Sequence, residues 1–303
     1  MNEFLQTSPF DLYELSLFSL VVKHRSFTRA AEAAGLTQSA ITRQVQGIEN
    51  SLGVALLERT TRNVRLTKAG EFLFQEACQL LGDVDQSLRR IKEDFGNAKK
   101  EIRVGVSRSV SLAHLPGLFH ENLRKGMKVH FSVSYQPSAE ILAALEANEL
   151  DLGVLCPPPR LPRALRITHR FTDVFTLIAP AELASQYLSV PKAAISGWLH
   201  KQYWLLIDER TNTGIRLRKW MATSNLKVEP SMQLDSFDLI ITFVSIGMGL
   251  SFVPVRSLAL YGRKKRLVRL PLANRFEREL VVLTRRHRKE PEHLKEFVRN
   301  ILF

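Results

Sequence analysis

The sequence predicts a multidomain α+β protein with an N-terminal winged helix-turn-helix, a long linker helix and a C-terminal two-lobed α/β domain. Three observations predict this class. Residues 26–50 have the pattern of two short helices joined by a glycine turn, and residues 74–95 place apolar side chains at alternating steps of three and four. From about residue 102, strand-like and helix-like segments alternate. The 303 residues are enough for two domains that each have a packed core.

The helix-turn-helix is predicted from residues 26–52, behind a supporting helix over about residues 11–24. Gly35 tolerates the positive φ at which helices end, and Thr37 is a favoured N-cap for the second helix. One narrow stripe of that helix holds the apolar residues Ile41, Val45, Ile48 and Leu52. The opposite side holds hydrogen-bonding side chains that suit base edges in a major groove, namely Ser39, Arg43, Gln46 and Asn50, with Thr42 on its flank. An ordinary solvated helix face is the alternative interpretation of this side.

A small hairpin is predicted next, over residues 56–67, with its tip at residues 60–63. Beside a recognition helix such a hairpin is a wing, and its arginines suit phosphate or minor-groove contacts. The local charge comes from Arg59, Arg62, Arg65 and Lys68, with no acidic residue between them. The net charge of +13 is weaker evidence, because residues 1–98 hold eleven basic and twelve acidic residues. A surface hairpin with incidental charge is the alternative.

A helix of roughly 40 Å is predicted from Thr67 to about Phe95. Its apolar residues form a heptad seam, made of Phe74, Ala77, Leu81, Val84, Leu88, Ile91 and Phe95. Such a stripe needs a partner, and we expect the same helix of a second chain, which gives a homodimer. Two recognition helices would then meet a two-fold symmetric site on double-stranded DNA. A long core helix inside one domain is the alternative.

The polar segment at residues 96–100 is the predicted domain boundary. The predicted domains are therefore residues 1–66, the linker helix at 67–96 and a third region at 97–303. Residues 102–155 predict a βαβαβ unit with a parallel sheet. Two further strands, 165–171 and 174–179, flank a candidate crossover at Thr172-Asp173. Later predicted strands are 204–207, 250–253, 267–270 and 279–284, and later predicted helices are 213–222, 237–246 and 291–302.

These segments suggest two similar α/β lobes with a cleft between them. The first lobe is predicted at about residues 100–171 and 269–303, and the second at about 172–268. A ligand in such a domain lies where strands end and helix N-termini offer free N–H groups. The residues at those places are Ser107, Arg108, Ser109, Ser138, Thr213 and Ser236.

The run SFTRAAEAAGLTQSAITRQVQGIENSLGVALLERTTRNVRLTKAG resembles the N-terminal domain of LysR-type transcriptional regulators. The segments ELDLGVL, DVFTLIAP and SIGMGLSFVP resemble that family's effector-binding domain more diffusely. The resemblance implies a winged helix-turn-helix, a dimerising linker helix and a two-lobed effector domain of the periplasmic-binding-protein type. It also implies a homotetramer that bends promoter DNA and responds to a small metabolite. The two cysteines are too few for a disulfide framework and fit a reducing compartment, so we expect a cytoplasmic protein. We further expect effector binding to change the recruitment of RNA polymerase.

By position, the resemblance gives base and phosphate contacts to Gln38, Ser39, Thr42 and Arg43, and it places Arg59 and Arg62 in the wing. Thr42 stands where the family usually has serine, so its methyl either contacts a thymine or merely packs. The resemblance also places Ser109 and Ser138 where the family binds an effector's polar group.

Alternatives remain open for the ligand site. Plain helix capping requires the same residue types as ligand binding by Ser109 and Ser138. Arg108 near two helix N-termini suggests an anionic effector such as a carboxylate, and a solvent-facing arginine is the alternative. The basic clusters at residues 263–266 and 285–289 are interpreted as a solvated face, with attraction of wrapped DNA as the alternative.

Other classes of protein fit the sequence poorly. We find no glycine-rich phosphate loop, no GxSxG elbow and no His/Cys pair at metal-ligand spacing, so an enzyme, a metal site and a cofactor are not expected. A redox switch needs two nearby cysteines in the effector domain, which has only Cys156; Cys78 lies in the linker helix. The N-terminus lacks the pattern of a secretory signal, and no apolar run is long enough for a membrane span. A constitutive DNA-binding protein without a ligand is the remaining alternative.

Overall fold

The computed structural model describes residues 10–59, 64–226, 228–261, 267–272, 274–286 and 290–301. The chain divides into two compact units, and the main boundary between them falls between Ala98 and Lys99. This boundary lies two residues after the predicted end of the linker helix.

Three helices form the core of the first unit: α1 (Leu12–His24), α2 (Phe27–Ala34) and α3 (Gln38–Leu52). The predicted caps are confirmed, because the Thr37 hydroxyl accepts a hydrogen bond from the Ala40 N–H at 3.2 Å and Gly35 has φ 65°. The stripe of α3 packs into this core at Ile41, Val45 and Ile48, which are fully buried. The prediction was wrong for Leu52, which is 39% exposed because it lies in the last turn, beyond the reach of α1 and α2.

A two-stranded antiparallel hairpin, β1 (Leu57–Arg59) and β2 (Val64–Leu66), follows α3 as predicted. The carboxylate of Glu49 accepts hydrogen bonds from the Leu56 N–H at 2.8 Å and the Leu57 N–H at 3.1 Å. These bonds fix the start of the hairpin against the C-terminal part of α3. Helix α4 (Lys68–Asp94) then begins at Thr67, whose hydroxyl caps it.

The second unit contains the predicted parallel βαβαβ arrangement. Strand β3 (Glu101–Ser107) pairs in parallel with β4 (His130–Gln136) on one side and with β5 (Leu152–Leu155) on the other. A short 3-10 turn at Leu112–His114 leads into α5 (Leu115–Arg124), and α6 (Ser138–Glu146) connects β4 to β5.

The two strands predicted at 165–171 and 174–179 are one continuous strand, β6 (Leu165–Pro180). Its first part pairs with β11 (Glu277–Arg285), and its last part pairs with β9 (Ser251–Pro254) and β10 (Leu267–Leu270). The chain therefore passes from the first lobe to the second at Thr172-Asp173 without a turn. The strand stays extended there because β11 pairs with its first part and β9 and β10 pair with its last part.

Two separate groups of apolar cores define the lobes. The first lobe has its core around β3, β5, β11 and the terminal helix α11 (Glu292–Arg299), and the second has its core around residues 175–276. Leu270 and Phe276 belong to the second core. The predicted return to the first lobe at residue 269 was therefore too early, and the chain returns in β11.

The remaining elements build the second lobe. They are α7 (Ala181–Ser189), α8 (Ile195–His200), β7 (Leu205–Ile207), α9 (Asn212–Thr223), β8 (Met232–Leu234) and α10 (Phe237–Ser245). The sequence interpretation missed α7, α8 and β8, which are short and lack a clear apolar period. None of the described helices combines the length and the apolar character that crossing a bilayer requires.

Two glycines in helices provide a matched test of this packing. A Cβ at Gly70 would overlap the Leu56 carbonyl oxygen, whereas a Cβ at Gly47 would meet nothing within 4 Å. We expect Gly70→Ala to lower the free energy of unfolding by about 1–3 kcal/mol through this clash. Gly47→Ala should raise it by roughly 0.5–1 kcal/mol, because alanine loses less backbone entropy in a helix. Calorimetric melting of the full chain measures both, and equal shifts for the two variants would contradict the close approach of α4 to Leu56.

Candidate functional site

The face of α3 opposite the core carries the side chains predicted to contact bases. Gln38, Ser39 and Arg43 are exposed, and Thr42 and Gln46 are half-buried. Thr37, Gln38, Ser39, Thr42 and Arg43 line one shallow depression at the start of the helix. The guanidinium of Arg43 forms no ion pair with any residue of the described part of the chain. The structure thus brings this predicted set together on one open surface.

Hydrogen bonds order the start of this surface. The Thr42 hydroxyl donates to the Gln38 carbonyl oxygen at 2.8 Å, so its proton is engaged within the helix. The Thr28 hydroxyl donates to the Gln38 side-chain oxygen at 3.4 Å, which connects α2 to α3. These bonds reduce the freedom of the side chains before any partner binds, and this lowers the entropy cost of binding.

The wing residues are placed only in part. Arg65 is exposed on β2 and stands opposite Glu58 in the antiparallel register. Arg59 ends β1, but its side chain and the whole of Arg62 lie outside the described residues, as do residues 263–266 and 287–289 of the basic clusters.

The apolar stripe of α4 changes character along the helix. Phe74 packs against the core of the first unit, Ala77 is fully buried and Leu81 is half-buried. Further along, the exposed fractions are 40% for Val84 and 55% for both Leu88 and Ile91. Only the second half of the predicted stripe is therefore an open apolar surface on this chain.

Four of the predicted ligand residues form a closed cluster of hydroxyl groups between the lobes. The Ser107 hydroxyl lies 3.1 Å from that of Ser138 and 3.3 Å from that of Ser109. Thr213, from the N-terminus of α9 in the second lobe, donates to the Ser109 hydroxyl at 3.4 Å. Ser107, Ser109 and Thr213 are buried, so their hydroxyl groups are satisfied by one another within the protein.

A buried charge network lies directly behind this cluster. The Arg278 guanidinium contacts Asp173 at 2.8 Å and donates to the Thr213 hydroxyl at 2.7 Å. The His114 Nε2 atom lies 3.2 Å from the other Asp173 oxygen, and its Nδ1 atom lies 3.2 Å from the Ser111 carbonyl oxygen. The Phe175 and Phe237 rings lie against the Arg278 guanidinium, each at 5.2 Å.

Burial opposes ionisation of Asp173, but contact with the His114 ring and the charge of Arg278 outweigh it. They hold the pKa of the Asp173 carboxyl below its ordinary value. The sequence interpretation missed this network. The sequence carries no clear signal for it, because β6 and β11 hold several other charged residues, among them Arg170 and Glu279, and only burial distinguishes Asp173 and Arg278 from these.

A cavity of about 420 Å³ lies between the lobes and is the candidate ligand pocket. Of the predicted residues it contains Arg108 and Ser236, whereas Ser107, Ser109, Ser138 and Thr213 are not part of its lining. Asp235 lines it as well. Seven further lining residues were missed by the sequence interpretation, namely Val110, Leu112, Tyr135, Asp238, Leu239, Thr242 and Tyr261. They come from β4, α10, the segment that follows β3 and the 3-10 segment Val255–Tyr261, and only the tertiary fold brings these together.

Two polar contacts connect the lobes at this pocket. Arg108 and Asp235 form an ion pair at 2.8 Å, and both side chains are about half exposed, at 52% and 42%. Asp238 accepts hydrogen bonds from the Ser111 hydroxyl at 3.0 Å and from the Leu112 N–H at 3.2 Å. Burial and the negative charge of Asp238 raise the pKa of Tyr135 to about 12, so this phenol is a neutral hydrogen-bond donor near pH 7.

The described residues contain no group of three or more His, Cys, Asp or Glu side chains placed to hold a metal ion. Cys156 is buried and Cys78 is partly exposed, and the two do not form a disulfide.

Comparison with known proteins gives matches over nearly the whole chain. Residues 12–71 match the family model described as a bacterial regulatory helix-turn-helix protein of the lysR family. Residues 96–302 match the model described as a LysR substrate binding domain. An uncharacterized HTH-type transcriptional regulator, YfeR of Shigella flexneri, is 25% identical over 280 residues, which cover 92% of this chain and 89% of that protein.

Solved structures share the fold. A full-length OxyR of Pseudomonas aeruginosa superposes with a TM-score of 0.65 at 20% identity and covers 96% of this chain and 94% of its own. A full-length CbnR in complex with its target DNA gives a TM-score of 0.62 at 19% identity, over 96% of this chain and 99% of its own.

We expect the buried charge network to contribute to stability. We expect Asp173→Asn to lower the free energy of unfolding by roughly 3–5 kcal/mol, because it leaves the Arg278 guanidinium buried without a counter-charge. Glu279→Gln breaks the exposed pair with Arg170 on the same two strands and should cost less than about 1 kcal/mol. Denaturant unfolding at pH 7 compares the two variants, and similar losses would contradict the role of the buried pair.

The lowered pKa of Asp173 makes the free energy of unfolding depend on pH. The stabilisation by Asp173 is present above the pKa of the unfolded carboxyl, about 4, and is lost as the pH falls through the lower folded value. The difference between wild type and Asp173→Asn should therefore shrink as the pH falls below about 4.

Proposed function

This chain belongs to the LysR family of bacterial DNA-binding transcriptional regulators, and on that basis we propose that α3 reads its operator through Gln38, Ser39, Thr42, Arg43 and Gln46. The observation that carries the proposal is the open depression at the start of α3, since it presents these side chains opposite the buried stripe. Arg43 suits a bidentate contact with guanine, and the glutamines suit adenine.

Two further contacts belong to the same proposal. The Thr42 hydroxyl proton is engaged with the Gln38 carbonyl, which favours the Thr42 methyl group as the part that meets a thymine. Arg65, with Arg59 and Arg62 of the same hairpin, contributes phosphate or minor-groove contacts. The exposure of Arg65 supports this assignment.

The assembly is proposed from α4. Val84, Leu88 and Ile91 present an apolar strip that a second copy of the helix would bury, whereas Phe74 and Ala77, earlier on the same stripe, pack within the first unit and Leu81 is half-buried. A homodimer places two recognition helices on one two-fold symmetric promoter site. Pairing of two such dimers gives the homotetramer, which bends the DNA and contacts RNA polymerase. We place the regulator in the cytoplasm, where its promoter DNA lies.

The effector domain is proposed to bind a small molecule in the cavity between the lobes. The two lobes meet there through a half-exposed ion pair and through Asp238, so a ligand can alter the contacts that connect them. A ligand that prefers one arrangement of the lobes shifts the population toward it. We propose that this shift changes the spacing of the paired DNA-binding units, and that the protein is a regulator and not an enzyme.

A constitutive DNA-binding protein with an unused cleft is the second candidate. It shares the whole DNA-reading part, so only the effector domain separates the two. A melting temperature that no small molecule shifts would favour this candidate.

Substitution of Arg43 tests the reading surface. On an operator selected from random DNA by the wild-type chain, Arg43→Ala should weaken binding by about 1–3 kcal/mol, since it removes a base contact. Binding to a random duplex should weaken far less. Lys192→Ala removes one exposed positive charge from the effector domain and should leave both affinities nearly unchanged. Titrations at one fixed salt concentration measure this, and equal losses on both duplexes would remove Arg43 from the base-reading set.

Substitution of Leu88 tests the assembly. Leu88→Glu places a charge in the centre of the exposed strip and should shift the protein toward monomers, because burying an unpaired carboxylate in a helix seam is costly. Ser87→Glu adds the same charge at an exposed neighbouring position off the strip and should leave the assembly intact. Light scattering after gel filtration gives the masses, and an unchanged mass for Leu88→Glu would place the interface elsewhere.

A further inference from the structure

The candidate pocket contains two opposite charges side by side. Arg108, after β3, and Asp235, before α10, are joined at 2.8 Å and are both about half exposed to the cavity and solvent. Ion pairs with this exposure contribute little to stability, because water screens them and they cost side-chain entropy. The pair can therefore open and offer a cationic and an anionic pole to an incoming molecule.

A second carboxylate makes the pocket unsuitable for a simple acid. Asp238 accepts hydrogen bonds from two neutral donors, Ser111 and the Leu112 N–H. Within the described ranges, no cationic side chain lies within ion-pair distance of Asp238. The lining thus holds one positive and two negative side chains, and a monocarboxylate would add a third negative charge.

Groups that favour an anion are also present, so a simple cation does not fit either. The Arg108 guanidinium has donors beyond the one bonded to Asp235, and Ser236, at the N-terminus of α10, makes no side-chain capping bond. A helix N-terminus favours negative charge. A monocation would leave these donors without a partner.

The remaining walls are apolar and aromatic apart from Thr242, whose hydroxyl donates to the Asp238 backbone oxygen at 2.8 Å. Val110, Leu112 and Leu239 line the cavity together with the rings of Tyr135 and Tyr261. Tyr261 donates to the Asp238 backbone oxygen at 2.9 Å, which holds its ring beside the carboxylates. A volume of about 420 Å³ is within the usual range for small-molecule sites. The pocket therefore combines two opposite poles with an apolar compartment.

We propose that the effector of this pocket is a zwitterion of the α-amino-acid type with an apolar side chain. Its carboxylate binds Arg108 and the start of α10, its ammonium group binds Asp235 and Asp238, and its side chain contacts Leu112, Leu239 and the two tyrosine rings. This assignment rests on the proposed effector-binding function and specifies the class of molecule that performs it.

Matched probes separate the charges of the ligand. L-phenylalanine is compared with 2-phenylethylamine, which lacks the carboxylate, and with 3-phenylpropanoate, which lacks the ammonium group. L-leucine is compared with isoamylamine and 4-methylpentanoate in the same way. Calorimetric titration of the full-length protein measures affinity, and thermal melting confirms binding to the folded state. At least one amino acid should bind about tenfold or more tightly than both of its singly charged analogues.

Variants identify the two poles. Asp238→Asn should weaken the amino acid and the amine about tenfold and leave the carboxylate analogue unaffected or improved. Arg108→Gln should weaken the amino acid and the carboxylate and spare the amine. Glu182→Gln removes an exposed carboxylate of α7 away from the pocket and should change no affinity. Because each variant is scored by the ratio between probes, a general loss of stability does not imitate the expected pattern.

The zwitterion assignment would be overturned if a singly charged analogue bound as tightly as its amino acid. It would also be overturned if the variants left the ratios between the probe affinities unchanged. A parallel melting screen of neutral, acidic and basic metabolites separates this failure from a failure of the proposed function. If other compounds raise the melting temperature and amino acids do not, the assignment is wrong and effector binding stands. If no compound does so, both are wrong.

Discussion

The effector domain depends on one buried ion pair, between Arg278 and Asp173, at the point where β11 and β6 pass between the lobes. The two residues are direct partners in the antiparallel register, and the Arg278 side chain is fully buried. A buried charge without a partner costs several kcal/mol. A shift in the register of these strands would separate Arg278 from Asp173 and is therefore unfavourable. The pair also engages Thr213 and His114, one from each lobe. It thereby fixes how the hydroxyl cluster and the candidate pocket are assembled.

The contacts between the lobes differ in strength according to their exposure. The Arg278–Asp173 pair is buried and is surrounded by the Phe175 and Phe237 rings, whereas the Arg108–Asp235 pair is half exposed. Electrostatic interactions are stronger in a low-dielectric interior and weak at a surface. The lobes are therefore held firmly at the crossing strands and loosely at the pocket. A ligand at the loose contact can change the arrangement of the lobes while the crossing strands remain paired.

In the first unit, the position of α3 follows from its opposite faces. Ile41, Val45 and Ile48 are buried, which requires the polar residues between them to face away from the core. The Glu49 carboxylate then fixes the start of the hairpin, and the absence of a side chain at Gly70 lets α4 begin close to Leu56. Each of these restraints orients the exposed set at Gln38, Ser39, Thr42 and Arg43 relative to the wing.

The sequence by itself determined the periodic and local features. The apolar stripe of α3, the caps at Thr37 and Thr67, the heptad seam and the parallel βαβαβ unit all arise from residues a few positions apart, whose spacing reports directly on the helix or strand. Only the tertiary structure decided that β6 is continuous, that Ser109 and Thr213 bond each other, and that Asp238 and Tyr135 share a pocket with Arg108. These residues are far apart in the chain, and their proximity depends on how the crossing strands bring the lobes together, which no local spacing records.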